Sequence, residues 1–419
     1  MDQQTKARHP RPREDGEAVD DPFERAAGET IGRVQDAFTE LVAAVPGLTS
    51  RPAEIQRALG LHKTLAWKLA KIVEASDRLT VYRRLPGDAA IAKILDAAAR
   101  VGVDRSRLDA VRASVQALER LVEQHAGHRE TLEIMLAGSS RGRLNDAELG
   151  YRKDGFRATS HIWGVQARTM TRSVIVWPSD DPEMLDAAVI FGAVDFLRLR
   201  PDRPWVVSRW RPTDDDGAPI SVKPESIDPQ PDDGAPLLRD FCSDPNLRVK
   251  RSKAPDHTLE DEIAAGKVGT GGAVTMHSAE VLRNVMPRYS VTGNHIFAQN
   301  LELRTPCRTV VFDHLVHRDL YGRVAPRFRV FGELAGRPLY VTLRSGMDQL
   351  EVFERVEYLG SGPSVIRTPD VPRYDQMVQH VCSRLGWDPS LLDAYRVRME
   401  YPYVPITMTY DYPLPERPS

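Results

Sequence analysis

The sequence predicts a multidomain chain whose first third is all-α and whose remainder is α+β. Three observations predict it. Apolar residues recur at three- and four-residue spacing between residues 31 and 137, the mark of amphipathic helices. Short β-like runs bounded by turn residues dominate from residue 237 onward. Between them, residues 211–236 hold six prolines and seven acidic residues, with too few large apolar groups to offset chain entropy. The 419 residues, 41% of them hydrophobic, suffice for two or three ordinary cores and exclude a wholly disordered chain.

Residues 1–30 read as a disordered tail, with Lys6, Arg8, Arg11 and Arg13 followed by Glu14, Asp15, Glu17, Asp20 and Asp21. Residues 31–137 read as a helical bundle. Ile31, Val34, Phe38, Leu41 and Val42 form the first apolar stripe, which Pro46 and Gly47 end. Further helices are expected at 52–59, 62–75 and 89–101. A longer one is expected at 104–125, with Asp104 as its cap and Leu108, Val111, Val115, Leu118 and Val122 as its stripe. That stripe suits either a dimer seam or packing within one chain. Residues 79–84 offer a β-like run that breaks at Pro86 and Gly87. Residues 138–210 form a mixed α/β segment, with a glycine-interrupted charged passage to 164, a β-like run at 173–177 and a helical stretch near 182–197. Residues 211–236 are a Pro/Asp-rich linker. Residues 237–419 form an α+β domain, with β-like runs at 309–316, 328–333, 339–343 and 350–358 and a helix at 374–385. Its Tyr- and Pro-rich end is expected to lie extended over the surface.

Charge and cysteine content narrow the function classes. Lys and Arg total 57 against 59 Asp and Glu, a net charge of −2, so contact with a polyanion requires a local basic patch. The three cysteines are widely spaced, which argues against a disulfide framework or a CxxC zinc site. No run reaches the roughly 18–20 apolar residues of a membrane helix, and the N-terminus is polar. The expected location is therefore the cytoplasm, with no membrane partner and no cofactor.

The sharpest motif runs from Arg51 to Ile72. A short helix ends at Gly60, a residue free to take the left-handed conformation of a tight turn, and a second amphipathic helix follows at once. Ile55, Leu59, Leu61, Ala66, Leu69 and Ile72 are expected to bury together. The opposite face carries His62, Lys63, Thr64, Trp67, Lys68 and Lys71, with Arg51 at the start of the first helix. Residues 50–84 contain eight basic and three acidic residues, a local charge of +5 (8 − 3) within a chain of −2.

These residues resemble the helix-turn-helix of bacterial transcriptional regulators, including the winged IclR-like and MarR-like families. The resemblance covers about residues 50–75. It implies dimeric, sequence-specific DNA binding and transcription regulation by an all-α N-terminal helix-turn-helix bundle, to which the pattern of β-like runs adds an α+β C-terminal region. Arg51, His62, Lys63, Thr64, Trp67, Lys68 and Lys71 are then the DNA-binding residues. DNA, a second copy of the chain and a small-molecule effector are the expected partners, the effector sensed by the C-terminal region.

Other constellations lead elsewhere. His314, His317 and Asp319 are the lesser metal-ligand candidates and the sole hint of a metal-dependent enzyme; on a strand, the two histidines point to opposite faces. No catalytic residue is assigned, since GxSxG and HExxH are absent and residues 266–272 lack the order of a phosphate loop. Trp163, Trp177, Trp205 and Trp210, near Arg168, Arg172, Arg203 and Arg209, suit a ligand pocket or ordinary core filling. A protein-interaction scaffold, with Leu65 and Trp67 as a docking patch, is the third reading of the motif.

Overall fold

The computed structural model describes residues 22–139, 144–210, 223–230, 234–255, 258–290, 296–321, 324–332, 346 and 348–417. The chain divides into two compact units, Met1–Leu144 and Asn145–Ser419. The first is helical and the second is built on mixed sheets. Among the described residues no helix is long and apolar enough to cross a membrane.

Unit 1 contains α1 (Pro22–Ala43), α2 (Pro52–Leu59), α3 (Lys63–Val73), α4 (Arg78–Arg84), α5 (Asp88–Arg100), α6 (Arg105–His125) and α7 (Arg129–Ser139). The first helix begins at Pro22, so residues 22–30, expected in the tail, are helical. Ala27 buries there in the unit 1 core, and the guanidinium of Arg78 lies against Gly28, where a Cβ would collide with it. α1 packs along α6, and Ile31, Val34, Phe38 and Leu41 are fully buried. Asp104 caps α6 through the Ser106 amide at 2.7 Å. The stripe Leu108, Val111, Val115, Leu118 and Val122 is buried within the same core, so it packs the monomer and is not free as a dimer seam. Carbonyls at the end of α3 find a donor in Gln35, whose Nε2 lies 3.1 Å from Ile72 O and 2.8 Å from Ala75 O. Residues 79–84 are helical rather than β-like, because Asp77 accepts from the Thr80 amide at 2.8 Å and starts α4.

Unit 2 opens with α8 (Leu144–Trp163), continues through β1 (Val165–Pro178), β2 (Met184–Arg198), β3 (Trp205–Trp210), β4 (Glu225–Ser226), β5 (Val249–Lys253), β6 (Leu259–Ile263), β7 (Val274–Pro287), β8 (Ile296–Leu303), β9 (Cys307–His317), β10 (Arg327–Gly332), β11 (Gln349–Leu350) and β12 (Glu357–Ser361), and closes with α9 (Tyr374–Leu385), β13 (Leu392–Glu400) and β14 (Ile406–Pro413). Seven strands pair in the order β12-β13-β9-β1-β2-β7-β4, with β1 and β9 parallel and the other neighbours antiparallel. A second sheet runs β11-β10-β14-β8 and a third β3-β6-β5. One face of the large sheet, with Met170, Val310, Phe312 and Val397, meets Met408 and Tyr410 of the second sheet. The other, with Ile175, Ile190, Leu315 and Ala394, is covered by Tyr374, Met377, Val378 and Val381 of α9.

Four expectations for this half change. Residues 184–198 are a strand, not a helix: β2 is central and buried on both faces, so its apolar run lacks the alternation that marks a half-exposed strand. The charged passage before residue 164 is α8. Its Arg152 is fully buried between Glu148 (2.6 Å) and Glu354 (2.5 Å), with the Phe353 and Tyr403 rings nearby. Of the stretch 211–236, expected as an exposed linker, the described residues belong to unit 2: β4 pairs with β7 and Ile227 is buried, while residues 211–222 and 231–233 lie outside those described. Residues 406–413 do not lie over the surface: β14 is central in the second sheet, with Tyr410 and Tyr412 buried. Residues 339–343 lie outside those described.

Candidate nucleic-acid interface

α2 closes on Gly60, whose φ of 64° and ψ of 29° are left-handed. α3 then starts at Lys63, with His62 as its cap and the His62 Nδ1 3.4 Å from the Thr64 amide. Ile55, Leu59, Leu61, Ala66, Leu69 and Ile72 are all buried in the unit 1 core. The remaining side of α3 is thereby turned outward.

The expected site residues divide into three groups. His62, Lys63 and Thr64 are exposed, and Trp67 is 37% exposed with the Arg84 guanidinium 4.8 Å above its ring. These four, with Arg84, form one continuous outer surface at the start of α3. Arg51 and Lys71 are neutralised locally: Arg51 lies 3.7 Å from Glu54 and Lys71 3.2 Å from Glu74. The Lys71 ammonium and the Ser50 hydroxyl hold the Glu74 carboxyl below its ordinary value, so it stays charged. Lys68 is half-buried and turns away from Trp67 into a groove between α3 and α5.

That groove has a volume of about 660 Å³ and is lined by Gly60, Leu61, Thr64 and Lys68 on one side and by Lys93 and Arg100 on the other. Lys93 and Arg100 were not singled out by the sequence. They stand seven residues apart on the outer side of α5, a spacing that places two residues on one helix face but resembles any solvated helix. Arg57, at the end of α2, is a further exposed cation. Among the described residues Arg57, Lys63, Lys68, Lys93 and Arg100 make no ion pair.

Unit 2 does not assemble the metal candidates. His314 and His317 lie on opposite faces of β9, as the two-residue period of a strand requires. His314 is fully buried, with Nδ1 against the Gln299 amide and Nε2 3.0 Å from the Tyr412 hydroxyl. Burial pushes its pKa down to about 3. His317 meets the edge of Trp177 at 4.5 Å, and its Nδ1 is 3.8 Å from Asp319. Among the described residues no three His, Cys, Asp or Glu side chains converge on a metal-sized site.

The tryptophans do not share a pocket either. Trp163 packs edge-on against Trp205, whereas Trp177 stacks on Trp387 beside α9. Of the arginines, Arg168 pairs with Asp195 at 2.7 Å and Arg209 with Glu260 at 2.6 Å.

The sequence also gave no sign of the buried polar cluster at the centre of the large sheet. Arg396 donates to both oxygens of Asp313 at 2.8 and 2.7 Å, and Tyr374 donates to Asp313 at 2.8 Å while meeting Ser173. Asp313 and Tyr374 are essentially unexposed, so this constellation ties α9 to the sheet and does not face a substrate. No family model, no curated protein and no solved structure matches this chain.

Proposed function

We propose that the chain is a DNA-binding transcriptional regulator in which α2 and α3 form a helix-turn-helix and α3 is the recognition helix. The observation that carries this reading is the outward face at the start of α3. Lys63, Thr64 and Trp67 stand in solvent there, immediately after a left-handed glycine turn whose apolar side is fully buried. In that geometry the first residues of the second helix reach base edges, while its lysines and the surrounding cations meet phosphates. α4 occupies the chain position where winged modules place a hairpin, so the contacts flanking α3 come from helices. Unit 2 is then the sensing or assembly half of the regulator.

A salt series on full-length protein with mixed-sequence duplex DNA tests the reading. If Arg57, Lys63, Lys68 and Arg84 neutralise phosphates, the log–log slope is about −0.9 per contact, and affinity falls roughly a hundredfold between about 50 and about 200 mM salt. Lys63→Ala is expected to make the slope shallower by about 0.9. Absence of binding at low salt removes the reading.

A further inference from the structure

The groove between α3 and α5 is asymmetric in composition. Lys68, Lys93 and Arg100 line it against a single carboxylate, Asp96. None of the three cations is ion-paired among the described residues. Arg100 makes one hydrogen bond, from its Nε to the Asp96 carbonyl at 3.4 Å, which leaves its terminal nitrogens available.

Lys93 and Arg100 are separated by about 10 Å along the axis of α5 at the usual helical rise of ~1.5 Å per residue. Two cations rooted that far apart on one helix suit an elongated polyanion better than one tetrahedral ion. Gly87 and Ala90 on the same wall are small, and Gly87 precedes α5 without supplying a side-chain cap. The Ala90 amide donates to the Gly87 carbonyl at 2.9 Å, so of the first turn only the Asp88 and Ala89 amides are open, with the Asp88 carboxylate beside them. Thr64 and Lys68 lie on the α3 wall, so the groove is continuous with the proposed recognition face.

We propose that this groove seats a sugar-phosphate strand of the duplex whose major groove α3 enters, with Lys68, Lys93 and Arg100 as its phosphate contacts. The inference rests on the reading of α3 as a recognition helix. It makes α5 a second docking element that fixes the register of α3 on DNA without reading sequence. Asp96 opposes capture of a lone anion, and a strand touching all three cations offsets that repulsion.

The test compares full-length wild type, Lys63→Ala and the double variant Lys93→Ala/Arg100→Ala in anisotropy titrations with mixed-sequence duplex DNA over the same salt range. Thermal melts establish that each variant folds; both α5 side chains are exposed. The double variant is expected to bind at least roughly tenfold more weakly at low salt, with a slope shallower by about 2. If wild type binds and Lys63→Ala weakens binding while the double variant matches wild type, the groove proposal is overturned and the α3 reading stands. If wild type does not bind, both fall. Inorganic phosphate is the remaining probe: a double variant that loses phosphate binding but keeps wild-type DNA affinity makes the groove a small-anion site and overturns the proposal.

Discussion

Arg396→Ala is expected to destabilise unit 2 by roughly 3–5 kcal/mol, the usual cost of removing one partner from a buried ion pair. Asp313 has no measurable exposure, and the pair is bidentate at 2.8 and 2.7 Å. Arg396 also donates to the Ile366 carbonyl at 2.7 Å, and the Tyr374 hydroxyl donates to Asp313 at 2.8 Å. Burial pushes the Asp313 carboxyl up from its ordinary value even with the guanidinium beside it. Truncating Arg396 leaves that carboxyl in the interior with only Tyr374 to satisfy it, and frees the Ile366 carbonyl. Both consequences loosen the attachment of α9 to β9 and β13. Urea unfolding followed by tryptophan fluorescence reports this unit, because five of the six tryptophans (Trp163, Trp177, Trp205, Trp210 and Trp387) lie in it. The joint replacement Asp313→Leu/Arg396→Met is expected to recover the part of the loss due to the stranded carboxylate, since an apolar pair of similar volume needs no partner, while the Ile366 carbonyl stays without its donor. A loss below about 1 kcal/mol for Arg396→Ala would show that water reaches the site and that the pair is not what holds α9.

The parts of the molecule that were legible in the sequence are those whose signal is local. α1, α3 and α6 follow from their apolar spacing, the end of α2 from Gly60 and the start of α6 from Asp104. The turn between α2 and α3, and the exposure of His62, Lys63 and Thr64, follow from the same pattern. Features that depend on distant partners were not legible. β2 lies between β1 and β7, which cover both its edges, and its continuous burial erases the period of two. Arg396 and Asp313 are 83 residues apart, so no spacing rule joins them. Among the charges, the sequence placed Lys68 and Lys71 together with Lys63 on one face. Their environments differ because Glu74 lies within reach of Lys71 and α5 lies across from Lys68. Periodicity predicts which side of a helix is polar, but only the neighbouring helix decides whether a cation there is free, paired or part of a groove.

A pronounced loss of unit 2 stability on acidification is expected from two histidines that fold in the neutral form. His277 and His314 are both buried, and desolvation alone lowers their pKa values from 6.5 to about 4 and about 3. His277 has no room to recruit a partner: a Cβ on Gly192 would lie 2.3 Å from its Nδ1, and that nitrogen has no hydrogen bond. The sign follows from linkage. The unfolded chain takes up a proton at each histidine below about pH 6.5, whereas the folded chain does not until about pH 4 and 3. The stabilisation is therefore complete above pH 6.5 and is lost as pH falls toward those values. At pH 4.5 each site is about 2 pH units below its unfolded value, which amounts to roughly 2–3 kcal/mol per site and about 5 kcal/mol together. That is comparable with the whole stability of an ordinary domain. Glu280 and Asp313 act in the opposite direction, because burial raises both carboxyls and their protonation favours the folded state as the pH drops. The histidine contribution is isolated by comparing urea midpoints of wild type and His277→Gln/His314→Gln between pH 7 and 4.5. The wild type is expected to lose about 5 kcal/mol more than the double variant. Imidazole resonances of His277 and His314 in the folded protein are expected to stay at neutral-form shifts down to about pH 5. Titration of either ring near pH 6.5 would mean that it reaches water, and the acid sensitivity assigned to it would disappear.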